Sequence, residues 1–483
     1  MNKTIRFTAI FSLILTAILL VNLTVVQAFS EDKYAKNPKN MREFYQLQTI
    51  ARGQIYAGNT VLAQSVPDGN GEGGDDETYS RIYPTQSPAF GPVTGYLSSQ
   101  FGASQLESSQ NGILNGTDDS LLKQNWLDKL TGEQPDGANV EVTIDPRLQQ
   151  LAYDQLVGPG YQGSAVALQP STGRVLAMSS SPSFDANSVV GDPNAEDNWA
   201  ALQDADGAPL LNHATQETLP PGSIFKIITT AAGLNNGFTP SSTLTGQASI
   251  TLPNTTTQLT NYANQSCGGA DSVTLQTAFA LSCNTAFVQM SEGIGADELR
   301  KYAEAFGVGE NYDLGVDTSP GNLGELPDPA ATAQSAIGQR DVTMSALQAA
   351  IMAGTVANEG KRMEPRLIKR ITDSQMQEVR EIEPKEATEA ITPETAATLR
   401  DLMFASERST SGYDGNSFAS KTGTAEHGDG LDPHTWYVAF DPDRDIAVAV
   451  VVKDGGNLGE SATGGQVAAP IGRAMLQAYG GEQ

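Results

Sequence analysis

The longest unbroken apolar pattern lies at the start of the chain, where Phe7 to Phe29 carry no charge and are dominated by Ile, Leu, Val, Ala and Phe. As a helix this run would extend about 34 Å, against a hydrocarbon core of about 30 Å. It is long enough to anchor the chain in a membrane. Val26-Gln27-Ala28 also resembles a signal-peptide cleavage site, although the run exceeds the usual apolar region of such peptides. Either reading exports the rest of the chain. Further on, Gln54-Ile-Tyr56 and Val61-Leu-Ala63 flank Ala57-Gly-Asn-Thr60 as strand, turn, strand, and Pro67 to Glu77 reads as a loop. Leu121 to Leu130 has a spacing that fits a helix, and Thr131 to Ala138 reads as a linker.

Beyond the linker the periods become sharper. Val140 to Ile144 alternates as a strand, and Asp145-Pro146 predicts an N-cap and first helical residue for a helix through Leu156. Ser164–Leu168 and Arg174–Met178 flank Pro170-Ser-Thr-Gly173 as a hairpin. Helical spacing dominates from about 223 to 306 and from 345 to 358. Trp436–Phe440 and Ile446–Val452 read as strands, and a last helix falls near 468–478. The pattern predicts a sheet built from both ends of this region with helices between, an α/β (α+β) arrangement.

Composition narrows the class. The 483 residues are 39% hydrophobic and 18% charged, which suits a globular chain of more than one domain. The net charge of −27, with no compensating basic cluster, repels phosphate backbones and argues against nucleic-acid binding. Charge does not settle orientation at the membrane. Lys3 and Arg6 precede the apolar run, but Lys33, Lys36, Lys39 and Arg42 follow it. That rule weakens before long translocated domains. Only Cys267 and Cys283 occur; an oxidising compartment permits a disulfide, worth about 3 kcal/mol by chain entropy, and two buried thiols are the alternative.

The chemistry begins at Leu219-Pro-Pro-Gly-Ser-Ile-Phe-Lys226. Ser223 falls at the start of an apolar helix, where free N–H groups favour developing negative charge, and Lys226 follows one turn later on the same face. A desolvated lysine with a depressed pKa can take a serine's proton. S-x-x-K alone is weak, since a capping serine and a solvated lysine give the same letters. Ser282-Cys-Asn284, in a helical region, supplies S-x-N, and Ser420-Lys421-Thr-Gly-Thr-Ala425 supplies K-T-G leading into a strand. Three motifs in this order and context are the signature of serine acyltransferases that bind penicillin. The three histidines, His213, His427 and His434, accompany no G-x-S-x-G segment, so a Ser-His-Asp hydrolase lacks its nucleophile signature. His213 and His427 read as surface or rim residues, and no zinc spacing is present.

From about residue 37 onward the chain resembles the class B penicillin-binding proteins, in their actinobacterial penicillin-binding protein A branch. Beyond the three motifs the likeness is carried by Arg52-Gly53, Thr143-Ile-Asp-Pro146 with Leu148-Gln149, and Pro170-Ser-Thr-Gly173. Ile337-Gly-Gln339, Asn358-Glu-Gly360 with Pro365, and His434-Thr-Trp436 extend it. The resemblance implies a penicillin-binding, serine β-lactamase-like transpeptidase domain over 138–483, with an antiparallel sheet flanked by helices. A small non-catalytic domain over 30–137, an anchor over 7–29 and a cytoplasmic tail over 1–6 would precede it.

Carried over by motif, Ser223 is the nucleophile, Lys226 its base, Ser282 a proton relay, and Asn284 a holder of Lys226 and the substrate amide. Lys421 supplies positive charge, Thr422, Gly423 and Thr424 meet the substrate, and the N–H groups of Ser223 and Thr424 form an oxyanion hole. The implied partners are peptidoglycan stem peptides, β-lactams and a polytopic membrane glycosyltransferase, with no cofactor or metal. The alternatives are a D,D-carboxypeptidase, or a non-catalytic β-lactam sensor or division scaffold. The sensor would need a cytoplasmic signalling region, and the scaffold would be expected to have lost Ser223, Lys226 or Lys421.

Overall fold

The computed structural model describes residues 3–29, 49–68, 78–121, 137–426, 428 and 430–480. The apolar run is helix α1 (Lys3–Phe29), and its Ile5–Val25 portion is exposed and is long and apolar enough to cross a membrane. The expected loop over 67–77, helix over 121–130 and linker over 131–138 fall mostly outside the described residues. Leu121 closes a single turn, Asp119–Leu121.

Strands β1 (Ile55–Ala57), β2 (Thr60–Pro67) and β3 (Tyr79–Ile82) follow. They share one six-stranded sheet with β4 (Asn139–Val142), β7 (Ile368–Thr372) and β8 (Glu378–Glu381), in the order β8-β7-β4-β1-β2-β3. Only the β1–β4 pair is parallel. This sheet crosses the expected boundary at 137/138, so the early strands are backed by strands from the far half of the chain. A buried cluster fixes their base: Glu107 accepts from Arg52 Nε at 2.9 Å and from Arg81 Nε at 2.6 Å. Both arginines and the carboxylate are buried.

The second sheet carries the chemistry. Its strands are β5 (Gly163–Leu168), β6 (Val175–Ser181), β9 (Ala419–Ala425), β10 (His434–Asp441) and β11 (Ile446–Val452). The order is β9-β10-β11-β5-β6, antiparallel throughout. Both ends of the region do build one sheet. β11 reads Ile-Ala-Val-Ala-Val-Val-Val because both of its faces are covered. Ala447, Ala449 and Val451 join the core under helix α6 (Ala346–Ala357), while Val448, Val450 and Val452 face α2 (Pro146–Val157) and α8 (Ala468–Ala478). Asp145 caps α2 as expected, accepting from Arg147 N at 2.9 Å and Leu148 N at 3.3 Å.

Helix α7 (Pro393–Ser409) packs against β9, helices α3 (Lys226–Asn235) and α4 (Leu275–Ala280) pack on α7, and α5 (Asn284–Ala305) packs on α3. Three expectations need refinement or correction. Helices α3, α4 and α5 dominate 223–306 as expected, but the stretch between α3 and α4 carries four unexpected short strands, Thr243–Thr245, Ser249–Thr251, Gln258–Thr260 and Ser272–Thr274. Three-residue strands rich in Thr are too short to show a period of two. The S-x-N motif does lie in a helical region, but it joins two helices: Ser282 sits in the turn between α4 and α5 with φ +61°, and Asn284 opens α5. Finally, His213 is buried rather than on the surface, with Nδ1 2.9 Å from Glu217 Oε2. His427 lies outside the described residues.

Candidate active site

Three chain segments converge at the end of β9. The first is the turn before α3. Trp436 Nε1, from β10, donates to Pro220 O at 2.8 Å, and Leu219 exchanges backbone bonds with Met344. Gly222 then takes φ +53° and donates its N–H to Gly338 O at 2.9 Å. A Cβ there would lie 2.9 Å from Thr424 O, so only glycine lets this turn close onto β9. Ser223 follows in a tight turn over Gly222–Phe225, half-buried on the wall of the cleft. Its hydroxyl has no hydrogen-bond partner among the described residues, so it does not bond to Lys226 Nζ.

Lys226 is fully buried. Its Nζ donates to Asn284 Oδ1 at 2.7 Å and to Ser282 O at 2.8 Å, and lies 3.4 Å from Ser282 Oγ. The Phe287 ring centroid is 5.2 Å away. Desolvation, and then the neighbouring cation of Lys421, push the Lys226 pKa far below its ordinary 10.5. Lys421 is buried as completely, and burial brings it down to about 7. Its Nζ donates to Ser282 Oγ at 2.9 Å and Thr422 O at 3.0 Å. The Ser282 hydroxyl therefore joins two buried amines, the arrangement a proton relay needs.

The second segment is the turn Ser282-Cys283-Asn284. Its ties are Ser282 N to Phe279 O, Cys283 N to Ala278 O, and Asn284 Nδ2 to Thr260 O at 3.1 Å. Asn284 thus bridges Lys226 and the opposite wall. Cys283 is bonded to Cys267, with Cα atoms 5.7 Å apart, so the two-thiol alternative does not describe this structure.

The third segment is β9, an edge strand whose outer backbone groups are not used by a neighbouring strand. Thr422 and Thr424, two residues apart, line the cleft. Gly423 between them faces inward, where a Cβ would lie 2.7 Å from Pro221 O. The cleft encloses about 730 Å³ and is bounded by Ser223, Ser282, Asn284, Thr422 and Thr424. It thus brings together the serine, the relay and the strand that the three motifs supply.

Sequence reasoning missed several groups. Tyr262, Gln339, Glu426 and Thr463 line the same cleft. Only Gln339 had a signal, as part of Ile337-Gly-Gln339. Below β9 lies Glu407, fully buried on α7. It accepts from Arg473 Nε at 2.7 Å, Tyr437 OH at 3.0 Å, Asn416 Nδ2 at 3.1 Å and Ser420 Oγ. Burial and then Glu407 push the Tyr437 hydroxyl well above its usual pKa. Because Ser420 immediately precedes Lys421, this network holds the backbone that presents the lysine. His434 opens β10, accepts from Asp454 N at 3.2 Å, and does not line the cleft.

Residues 163–477 match the penicillin binding protein transpeptidase domain, and residues 52–140 match the penicillin binding protein A dimerisation domain. The chain is 42% identical to the peptidoglycan D,D-transpeptidase PbpA of Mycolicibacterium smegmatis, over 99% of both chains. It is 40% identical to that of Mycobacterium tuberculosis, also over 99% of both. Among solved structures, penicillin-binding protein A from M. tuberculosis as a ceftriaxone acyl-enzyme complex superposes with TM-score 0.84 at 40% identity, covering 89% of this chain and 99% of that one. The penicillin G acyl-enzyme complex of the same protein gives 0.82 over the same shares.

Proposed function

The chain belongs to the class B penicillin-binding proteins, as a peptidoglycan D,D-transpeptidase, and from that premise we propose how its own residues carry the reaction. Neutral Lys226 takes the proton of Ser223 as the serine oxygen attacks the carbonyl of a D-Ala-D-Ala bond. Catalytic hydrogen bonds that are long in the free enzyme tighten in the substrate complex. The N–H groups of Ser223 and Thr424 hold the oxyanion, and Thr422 and Thr424 hold the strand-like donor peptide along the edge of β9. As the tetrahedral centre collapses, the C–N bond breaks and the departing D-Ala amine takes a proton through Ser282. Lys226 and Lys421 resupply that proton. A neighbouring stem's amine then gives its proton to the same relay and attacks the ester, which frees Ser223. A β-lactam follows the first half of this path, but its leaving nitrogen stays tethered and the ester persists.

The observation that carries this reading is the meeting of two fully buried lysines on one serine. Lys226 and Lys421, from a helix and a strand, both reach Ser282, at 3.4 and 2.9 Å from its Oγ. Two desolvated amines side by side are costly. A structural role gives no reason to keep both, whereas moving a proton to and from a leaving amine does. The experiment is mass spectrometry of the protein after incubation with penicillin. The expected result is one adduct on a peptide containing Ser223, absent in Ser223→Ala. An adduct on another residue would overturn the assignment.

We further infer that α1 anchors the chain with its catalytic part outside the cytoplasm, and that residues 30–137 form its non-catalytic domain. Support comes from the apolar Ile5–Val25 helix, the disulfide and the location of the substrate. A polytopic membrane glycosyltransferase supplies the glycan. Co-purification of such an enzyme with the anchored chain, and its loss with the chain lacking α1, is the test.

A further inference from the structure

We propose that Glu426 reads the donor stem, its carboxylate holding the side-chain ammonium of the residue before D-Ala-D-Ala. Stems whose amine is free are then taken as donors ahead of stems whose amine is already cross-linked. The proposal rests on the reading of Ser223, Ser282 and β9 given above.

The wall of the cleft is neutral except at one place. Lys226 and Lys421 lie fully buried behind Ser282. Of the described side chains that bound the cleft, Glu426 alone carries a carboxylate, amine, guanidinium or imidazole. It is exposed and makes no hydrogen bond or ion pair among the described residues. An exposed carboxylate is ordinary in itself, so its place on the strand decides the matter. β9 ends at Ala425, paired with His434 on β10, and Glu426 follows directly. Thr422, Thr424 and Glu426 line the cleft at intervals of two, while Gly423 and Ala425 turn inward, the alternation of one strand face. The carboxylate therefore stands on the row that holds the donor.

The direction of the donor fixes what Glu426 meets. The departing D-Ala amine takes its proton from Ser282, whose Oγ lies 2.9 Å from Lys421 Nζ. The leaving end of the donor thus lies toward Lys421, and the carbonyl under attack lies at the Thr424 N–H. The retained stem continues past Ala425. Extended residues advance about 3.4 Å each, so the residue before the acylated D-Ala lies beside Ala425 and Glu426. In a stem peptide that residue is the diamino acid. Donor and acceptor are copies of one peptide, and the reaction needs the acceptor's amine, so a fresh donor carries the same amine. A lone carboxylate on a neutral wall favours a cation over a neutral group. Once a stem's amine has been spent as an acceptor it is an uncharged amide, and this contact is lost. The consequence is an order of use: fresh stems serve as donors first, and stems already linked through their amine serve last.

The test uses the full chain in detergent and two synthetic donors, with no acceptor present. They are the thioglycolate thioesters of Nα-acetyl-L-Lys-D-Ala and of Nα,Nε-diacetyl-L-Lys-D-Ala. In each, Ser223 Oγ bonds to the carbonyl carbon as the C–S bond breaks, and the serine proton leaves with the thiol. The kcat/KM for thiol release, which reports acylation, is compared in wild type, Glu426→Gln and Glu426→Lys. Wild type is expected to prefer the free-amine donor about fivefold, the upper end for an exposed ion pair. Glu426→Gln should lose the preference, and Glu426→Lys should reverse it. The wild-type preference should also shrink between about 20 mM and about 0.3 M salt, as screening requires.

Each protein supplies its own ratio of the two donors, so a loss of folded enzyme in a variant cancels. Equal use of both donors by wild type, or a preference that survives in Glu426→Gln, would overturn the proposal. A wild type that releases thiol from neither donor, or whose acyl adduct is not on Ser223, would instead bring down the reading of the site, and the proposal with it.

Discussion

Replacing Lys421 by Met separates two things the lysine does. Burial takes its pKa from 10.5 to about 7. At about 1.4 kcal/mol per pKa unit, folding with this amine charged costs of order 5 kcal/mol. The folded pKa lies below the unfolded one, so the cost is full below about pH 7, shrinks as pH rises, and vanishes above 10.5. Methionine fills a similar volume without the cost. It forfeits the bonds to Ser282 Oγ and Thr422 O, at about 1 kcal/mol each. Lys421→Met should therefore be more stable than the parent by about 2–4 kcal/mol at pH 6.5, with the gain fading toward pH 9.5. Removing the cation also lets the Lys226 pKa rise, which adds to stability with the same sign.

Activity should go the other way. Ser282 loses a donor, worth about 0.5–1.5 kcal/mol on the same scale, which is about 2–12-fold in acylation rate. The acid limb should move to higher pH, since less Lys226 is neutral at a given pH. Thermal midpoints at pH 6.5 and 9.5, with acylation constants across that range, check both halves. A variant less stable at pH 6.5, a stability gain that ignores pH, or unchanged acylation would refute the reasoning.

Lys226→Ala should fold and still bind penicillin reversibly, but acylate about 10²–10⁴-fold more slowly, as loss of a general base requires; stopped-flow labelling separates the two steps. Gly222→Ala forces φ +53° on a residue with a Cβ and places that Cβ 2.9 Å from Thr424 O. It should cost about 1–2 kcal/mol in conformation alone and slow acylation at least tenfold, read from thermal midpoint and labelling together. Glu407→Ala leaves the Arg473 guanidinium buried without its carboxylate, at a cost of about 3–5 kcal/mol. The double variant Glu407→Ala/Arg473→Met should recover part of the lost melting temperature.

The features legible in the sequence were those with local causes. Asp145-Pro146 capped its helix, the β11 run read as a strand, and the three motifs named the residues that meet at the cleft. What was not legible depends on contacts distant in sequence. Glu407 lies 13 residues before Ser420 and 66 before Arg473, and nothing near it in the chain marks a buried carboxylate. The turn at Ser282 looked helical because α4 and α5 flank it with helical spacing, and a single positive φ leaves no trace in that pattern. The sheet shared by β1–β3, β4 and β7 is set by pairing across more than 200 residues, which no local period reports.

The most direct test of the central claim is transpeptidation itself. The anchored enzyme is supplied with polymerised glycan carrying pentapeptide stems and a free acceptor amine, and cross-linked dimers and released D-Ala are counted by mass spectrometry. The prediction is D-Ala release matched by new cross-links in the wild type, with neither in Ser223→Ala. Release without cross-links, or cross-links that persist in Ser223→Ala, would contradict it.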